Sequence, residues 1–229
     1  MTKRITMFCA AGWLALTTGC AGSYTRIQPK TVGSYTNSQS SGPVKMAYQF
    51  DALRLRGGNK KYIKKESKHG YRVVAMQVTN NFDRELSFSR DLVLYCGDRP
   101  VMPVPAALAA HDLRQGVPIY LLYLLLNFNV GGTVDPRTGA TTGGTFLPTG
   151  PLIAGGNMLV AGSANSNLRT EFEYYDIASK TLKPGETTYG IISLRETAVA
   201  PLRLELRPQA GATPEPMATP PAAPTLAPH

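Results

Sequence analysis

Leu202, Leu204 and Leu206 alternate with Arg203, Glu205 and Arg207, a period of two that specifies a strand with one buried face. The same pattern opens the chain: Met46, Tyr48, Phe50 and Ala52 alternate with Ala47, Gln49 and Asp51, and Gly57-Gly58-Asn59 then marks a turn. Val74, Met76 and Val78 predict the next strand, closed by the turn signal Asn80-Asn81. Leu86 with Phe88, and Leu92 with Leu94, predict two more short strands. Pro184-Gly185 fits the centre of a type II turn before a strand over 189–194. Short strands separated by turn signals predict a mainly β domain built as a β-sandwich.

The middle breaks this rhythm. Residues 117–126 are apolar apart from the tyrosine hydroxyls, a Gly/Thr-rich stretch follows over 131–145, and small residues fill 151–164. Leu168, Phe172 and Tyr175 then fall at helical spacing, with Asn165 or Ser166 as the expected N-cap. Residues 103–178 are therefore expected as an apolar helical-hairpin insertion between strands. The 117–126 run is expected as a buried helix packed on the sheet, being too short to span a bilayer. The alternative is a hairpin over 117–164 that enters the membrane or forms a subunit interface. Ala154, Gly155, Gly156, Ala161, Gly162 and Ser163 would then allow close helix approach.

The N-terminus sets the address. Lys3-Arg4, an apolar core over 5–16 and small residues after it make a secretory signal. Thr17-Thr18-Gly19-Cys20 resembles the lipobox of bacterial lipoprotein precursors. That resemblance implies a signal peptide over 1–19, acylation of Cys20 with palmitate-type chains, and cleavage after Gly19. Thr17 stands where the family has Leu, and ordinary cleavage near Ala21-Gly22-Ser23 is the alternative. Ala21 and Gly22 after the Cys resemble lipoproteins sorted to the outer membrane, with the side faced left open. Residues 20–43 are polar without periodicity and are expected as a flexible tether. The tail, 208–229, holds seven Pro and six Ala and is expected to be disordered. The folded domain is then 44–207.

Charge is uneven. The whole chain carries +9, and loss of Lys3 and Arg4 would leave +7. Arg54, Arg56, Lys60, Lys61, Lys64, Lys65, Lys68 and Arg72, opposed only by Glu66, supply the same +7, so the rest sums to about zero. A basic hairpin over 54–72 is expected, facing an anionic surface such as anionic lipid or an acidic envelope protein. Nucleic acid is not an expected partner behind an export signal. A solvated hairpin that protects strand edges is the competing reading.

Catalytic patterns are missing: there is no Gly-x-Ser-x-Gly, no phosphate-binding Gly-x-x-x-x-Gly-Lys and no His-Glu-x-x-His. Three Cys and three His are too few for a zinc or disulfide scaffold. Cys96, in phase with Leu92 and Leu94, is expected to be buried and so unable to act with His69 or His111. His111-Asp112, and Glu173 with Asp176, are the remaining acid/base pairs and are read as solvated surface groups. No enzyme activity, metal or cofactor is expected.

Val78-Thr79-Asn80-Asn81 and residues 182–190, Leu-Lys-Pro-Gly-Glu-Thr-Thr-Tyr-Gly, resemble the strand-and-turn pattern of immunoglobulin-like domains in uncharacterised bacterial lipoproteins. The resemblance implies an immunoglobulin-like sandwich and transfers no catalytic residue. Together these readings describe a membrane-anchored envelope lipoprotein that binds or scaffolds without catalysis. The alternative is an oligomeric structural subunit built on the 117–164 hairpin.

Overall fold

A computed structural model describes residues 21–40, 42–196 and 200–208. The signal peptide, Cys20 and the tail from residue 209 lie outside the described residues. Among those described, the fold is mixed and β-rich, with antiparallel sheets and helices.

Strands form at each expected alternating segment, and at Asn37–Gln39, Arg99–Val101 and Thr181–Leu182 as well. They are β1 (Asn37–Gln39), β2 (Val44–Gln49), β3 (Arg72–Asn80), β4 (Leu86–Ser87), β5 (Leu92–Cys96) and β6 (Arg99–Val101). Near the C-terminal end come β11 (Thr181–Leu182), β12 (Thr187–Leu194) and β13 (Leu202–Leu206). One sheet has the order β1-β2-β3-β12, a second β13-β5-β6, and β11 pairs with β4. The two larger sheets share one apolar layer, Met46, Tyr48, Val74, Met76 and Val78 from the first meeting Leu92, Leu94, Cys96, Leu202 and Leu204 from the second. The Tyr48 hydroxyl accepts from the Leu202 amide at 2.8 Å, tying β13 to β2. The Pro184-Gly185 turn forms as expected, closed by Glu186 N–H donating to Lys183 O at 3.0 Å. Phe88 departs from the expected strand. It opens a single helical turn, Phe88–Asp91, between β4 and β5.

The outer face of β3 and β12 is also buried. Val73, Ala75 and Ile191 point away from that layer into a second apolar cluster with helices α1 (Lys60–Lys68), α2 (Ala106–Leu113) and α3 (Thr149–Tyr174). Ala109, Ala110, Leu113, Leu168 and Phe172 supply most of that layer. β3 is therefore apolar on both faces, as a strand covered on both sides must be.

Three expectations change here. The basic segment is a helix, α1, rather than a hairpin. Tyr62 and Glu66 are its buried i, i+4 pair, and because one of them is a carboxylate the helical stripe is invisible to an apolar count. The insertion is helical only in part. After a 3₁₀ segment at Pro118–Leu125, the Gly/Thr-rich stretch folds into two small ribbons. These pair β7 (Phe128–Val130) with β10 (Thr145–Leu147), and β8 (Thr133–Val134) with β9 (Thr141–Thr142). α3 then begins at Thr149, well before the expected Asn165 or Ser166 cap.

The third change concerns the N-terminal stretch. Residues 21–40 lie against the domain instead of hanging free. Ile27 is buried among the helices, and β1 pairs with β2. The segment is held largely by side chains that grip its backbone: Glu171 accepts from Ile27 N–H at 3.0 Å, from Gln28 N–H at 2.7 Å and from the Tyr24 hydroxyl at 2.6 Å. Asn59, in the left-handed region that Asn tolerates, accepts from Thr25 N–H and donates to Thr25 O, both at 2.8 Å.

Candidate functional site

The basic residues fall into two sets. Lys60, Lys61, Lys64, Lys65 and Lys68 project from α1, whose opposite side buries Tyr62 and Glu66. Lys65 and Lys68 sit in the last turn, where cations complement the helix dipole. The arginines are more occupied. Arg56 donates to Ile27 O at 3.1 Å and to Thr31, so it staples the N-terminal segment. Arg72 lies 3.8 Å from Asp51 and over the Phe50 ring, and Arg54 is exposed on the turn at Ala52–Arg54. Among the described residues, Lys60, Lys64, Lys65 and Lys68 form no ion pair.

Beside α1 runs a groove of about 370 Å³. Lys61, Lys64, Lys65 and Lys68 line one wall, and Gln115, Gly116, Ile119 and Tyr120 the other. Lys61 Nζ donates to the Tyr120 hydroxyl at 2.9 Å, and Tyr120 stacks near Tyr123 with ring centres 6.3 Å apart. The floor is a closed polar network. Gln115 Nε2 donates to the Tyr62 hydroxyl at 2.9 Å, which donates to Asn165 Oδ1 at 3.2 Å. Asn165 exchanges a second pair of bonds with the Gln115 backbone, at 2.8 and 2.9 Å. Burial pushes the Tyr62 phenol up to about 12, so it remains a neutral donor at ordinary pH. Burial likewise raises the Glu66 carboxyl above its usual range, against the Val73 N–H that donates to it at 2.7 Å.

The 3₁₀ segment behind Tyr120 overturns the expectation of a buried helix. Only Tyr120 is buried in it, while Leu122 is 61% and Leu125 81% exposed. A 3₁₀ turn with apolar side chains all round has no polar face to give to water. The sheet face is already covered by α2 and α3, so the surplus points outward. α3 packs across this segment where Gly150 leaves room: a Cβ there would lie 2.5 Å from Tyr123 O and 2.6 Å from Leu124 O. Of the small residues expected to permit close approach, Ala154 and Ala161 are buried, but a Cβ at Gly155, Gly156 or Gly162 would meet nothing within 4 Å.

The remaining candidates are dispersed. Cys96 is buried between the sheets, its Sγ 3.8 Å from Ala200 O. His69 stacks on Tyr71 and His111 lies 3.2 Å from Asp112, both over the helical layer. Tyr71 donates to Asp112 at 2.5 Å and accepts from Arg195 at 3.0 Å, and the Tyr71 and His111 contacts hold the Asp112 carboxyl below its usual range. Glu173 pairs with Arg169 at 2.7 Å, whereas Asp176 accepts from Ala178 N–H at 3.1 Å, so the two carboxylates have separate work. No group of three or more metal-ligating side chains occurs among the described residues. Nor is any helix there long and apolar enough to cross a membrane.

Sequence reasoning missed Gln115, Asn157 and Glu171, and read Asn165 as an N-cap; these are the polar residues that set the groove floor and hold the N-terminal segment. One signal was available: Glu171 sits three residues after Leu168 on the apolar stripe, where an acid needs a reason. Comparison with known proteins gives no match to a family model, a curated protein or a solved structure.

Proposed function

We propose that this chain is an outer-membrane lipoprotein, acylated at Cys20, whose immunoglobulin-like domain binds or scaffolds in the envelope without catalysis. In this reading α1 faces an anionic surface. The adjacency of β3 with β12 and of β5 with β13 supports the immunoglobulin-like assignment, because B–E and C–F pairs define the two sheets of such domains. The observation that carries the functional reading is the row of five lysines on α1, whose only acid, Glu66, is turned into the core.

The test uses the Cys20→Ser chain with vesicles of phosphatidylglycerol and phosphatidylethanolamine. Near an anionic surface each basic residue contributes about 1 kcal/mol. The variant K60E/K64E/K65E/K68E spares Lys61, which holds Tyr120, and should reduce binding more than 100-fold. Binding of the parent should weaken with added salt. Equal binding by parent and variant would refute an anion-facing α1. For the anchor, wild-type protein should carry an acyl-sized mass increment and fractionate with membrane, and Cys20→Ser should lose both.

A further inference from the structure

We propose that the anionic surface is the bilayer itself, and that the exposed apolar cap next to α1 dips into its headgroup–acyl boundary. This rests on the lipid-anchor reading above and names the partner of the same surface. The cap is the 3₁₀ segment, where Ile119, Leu121, Leu122, Leu124 and Leu125 are all exposed. Ile119 is more than half exposed. Single exposed leucines are ordinary on a protein surface, but a run of them in one segment is not.

Three observations select a membrane. The first is charge: the groove puts Lys64, Lys65 and Lys68 against Ile119 and Tyr120, a cationic flank on an apolar surface. Tyr123, half-buried on the same segment, adds an amphipathic ring suited to the depth of the headgroups. The second is where the chain enters. Ala21 N–H donates to Asn157 Oδ1 at 2.8 Å on α3, and Gly22 is bound in both directions to Gln115, which lines the same groove. Acyl chains on Cys20 would start one residue from this attachment, leaving almost no slack between anchor and cap. The third is length: no helix among the described residues can span, so entry is shallow, about 5–10 Å. A second copy fits less well, since isologous pairing of this patch would bring two lysine flanks together while the one acid of α1, Glu66, is buried.

The experiment labels the Cys9→Ser, Cys20→Ser, Cys96→Ala chain with an environment-sensitive fluorophore at Leu125→Cys, with Glu205→Cys on β13 as the far-side control. With phosphatidylglycerol-containing vesicles, the Leu125→Cys label should shift to the blue and be quenched by spin-labelled lipid, and the control should do neither. Without a label, L122D/L125D should cut vesicle binding at least tenfold with its thermal unfolding unchanged, because both side chains are exposed. Lysine-dependent vesicle binding with an aqueous Leu125→Cys label would overturn the insertion while leaving the anion-facing reading standing. Absence of binding by the parent chain would overturn both. A blue shift without lipid, growing with protein concentration and particle size, would overturn the membrane in favour of a second copy.

Discussion

Gly22 and Gln115 hold each other twice: the Gly22 amide donates to Gln115 Oε1 at 2.9 Å, and Gln115 Nε2 donates to Gly22 O at 2.6 Å. This side chain thereby substitutes for a strand partner, satisfying both backbone groups of a segment that has no sheet neighbour at that point. The same Nε2 also reaches the Tyr62 hydroxyl, so the entry of the chain and the groove floor share one residue.

Replacing Gln115 by Ala should therefore act at two places. A buried polar group deprived of its partner costs about 1–3 kcal/mol, and the Gly22 backbone and Tyr62 hydroxyl both lose one. We expect a clear drop in the urea midpoint of the Cys20→Ser chain and faster hydrogen exchange at the Gly22 amide. An unchanged exchange rate would show that Asn157 alone suffices to hold the entry.

Glu171 offers a graded version of the same question. Glu171→Ala removes the acceptor for Ile27 N–H, Gln28 N–H and the Tyr24 hydroxyl at once, and about 2 kcal/mol or more should be lost. Glu171→Gln keeps one oxygen, so it should fall between the parent and the alanine variant. Trypsin cleavage after Arg26 or Lys30, followed by mass, should rank the three chains in the same order.

These grips explain what was and was not legible in the amino-acid order. β2, β3, β5, β12 and β13 were readable because a half-buried strand writes its burial as a period of two, as Leu202, Leu204 and Leu206 do. Residues 21–40 were not, because they are fixed mainly through backbone amides by Asn59, Gln115, Asn157 and Glu171, and such contacts leave no periodicity in the segment they hold. α1 hid its helix behind Glu66. The apolar run at 117–126 was legible as apolar but not as exposed, since a sequence states hydrophobicity and says nothing of whether the sheet face is already taken by Leu113, Leu168 and Phe172.

Glu66 also sets a pH dependence. Burial raises its folded-state pKa above the ordinary 4.5, so between these values the folded chain holds a proton that the unfolded chain has lost. Its contribution is therefore most favourable at or below pH 4.5 and declines as pH climbs through the raised value. Glu66→Gln can still accept from Val73 N–H and carries no charge to desolvate. Stability of Glu66→Gln relative to the parent should thus be greater at pH 7 than at pH 4.5. A difference that does not vary with pH would mean that Arg54 and Arg72 offset the burial fully.

Gly190 on β12 is the tightest point between the sheet and the chain that returns to it. A Cβ built there would lie 2.4 Å from Ile177 Cβ and 2.9 Å from Ile177 Cγ2, distances no native contact tolerates. Ile177 is wholly buried beneath the short 3₁₀ turn Ile177–Ser179, and Asp176 makes a bridge to Ile191 alongside it, so neither partner has room to withdraw. Gly190→Ala should cost about 1–3 kcal/mol by overpacking. Ile177→Ala alone should cost about 2–5 kcal/mol through the cavity it leaves. Combined, the two changes should be less damaging than their sum, because the new methyl occupies part of the space vacated by the isoleucine. Urea unfolding of the four chains of this cycle measures the coupling, and strict additivity would mean that β12 shifts away from residue 177 instead of being pinned by it.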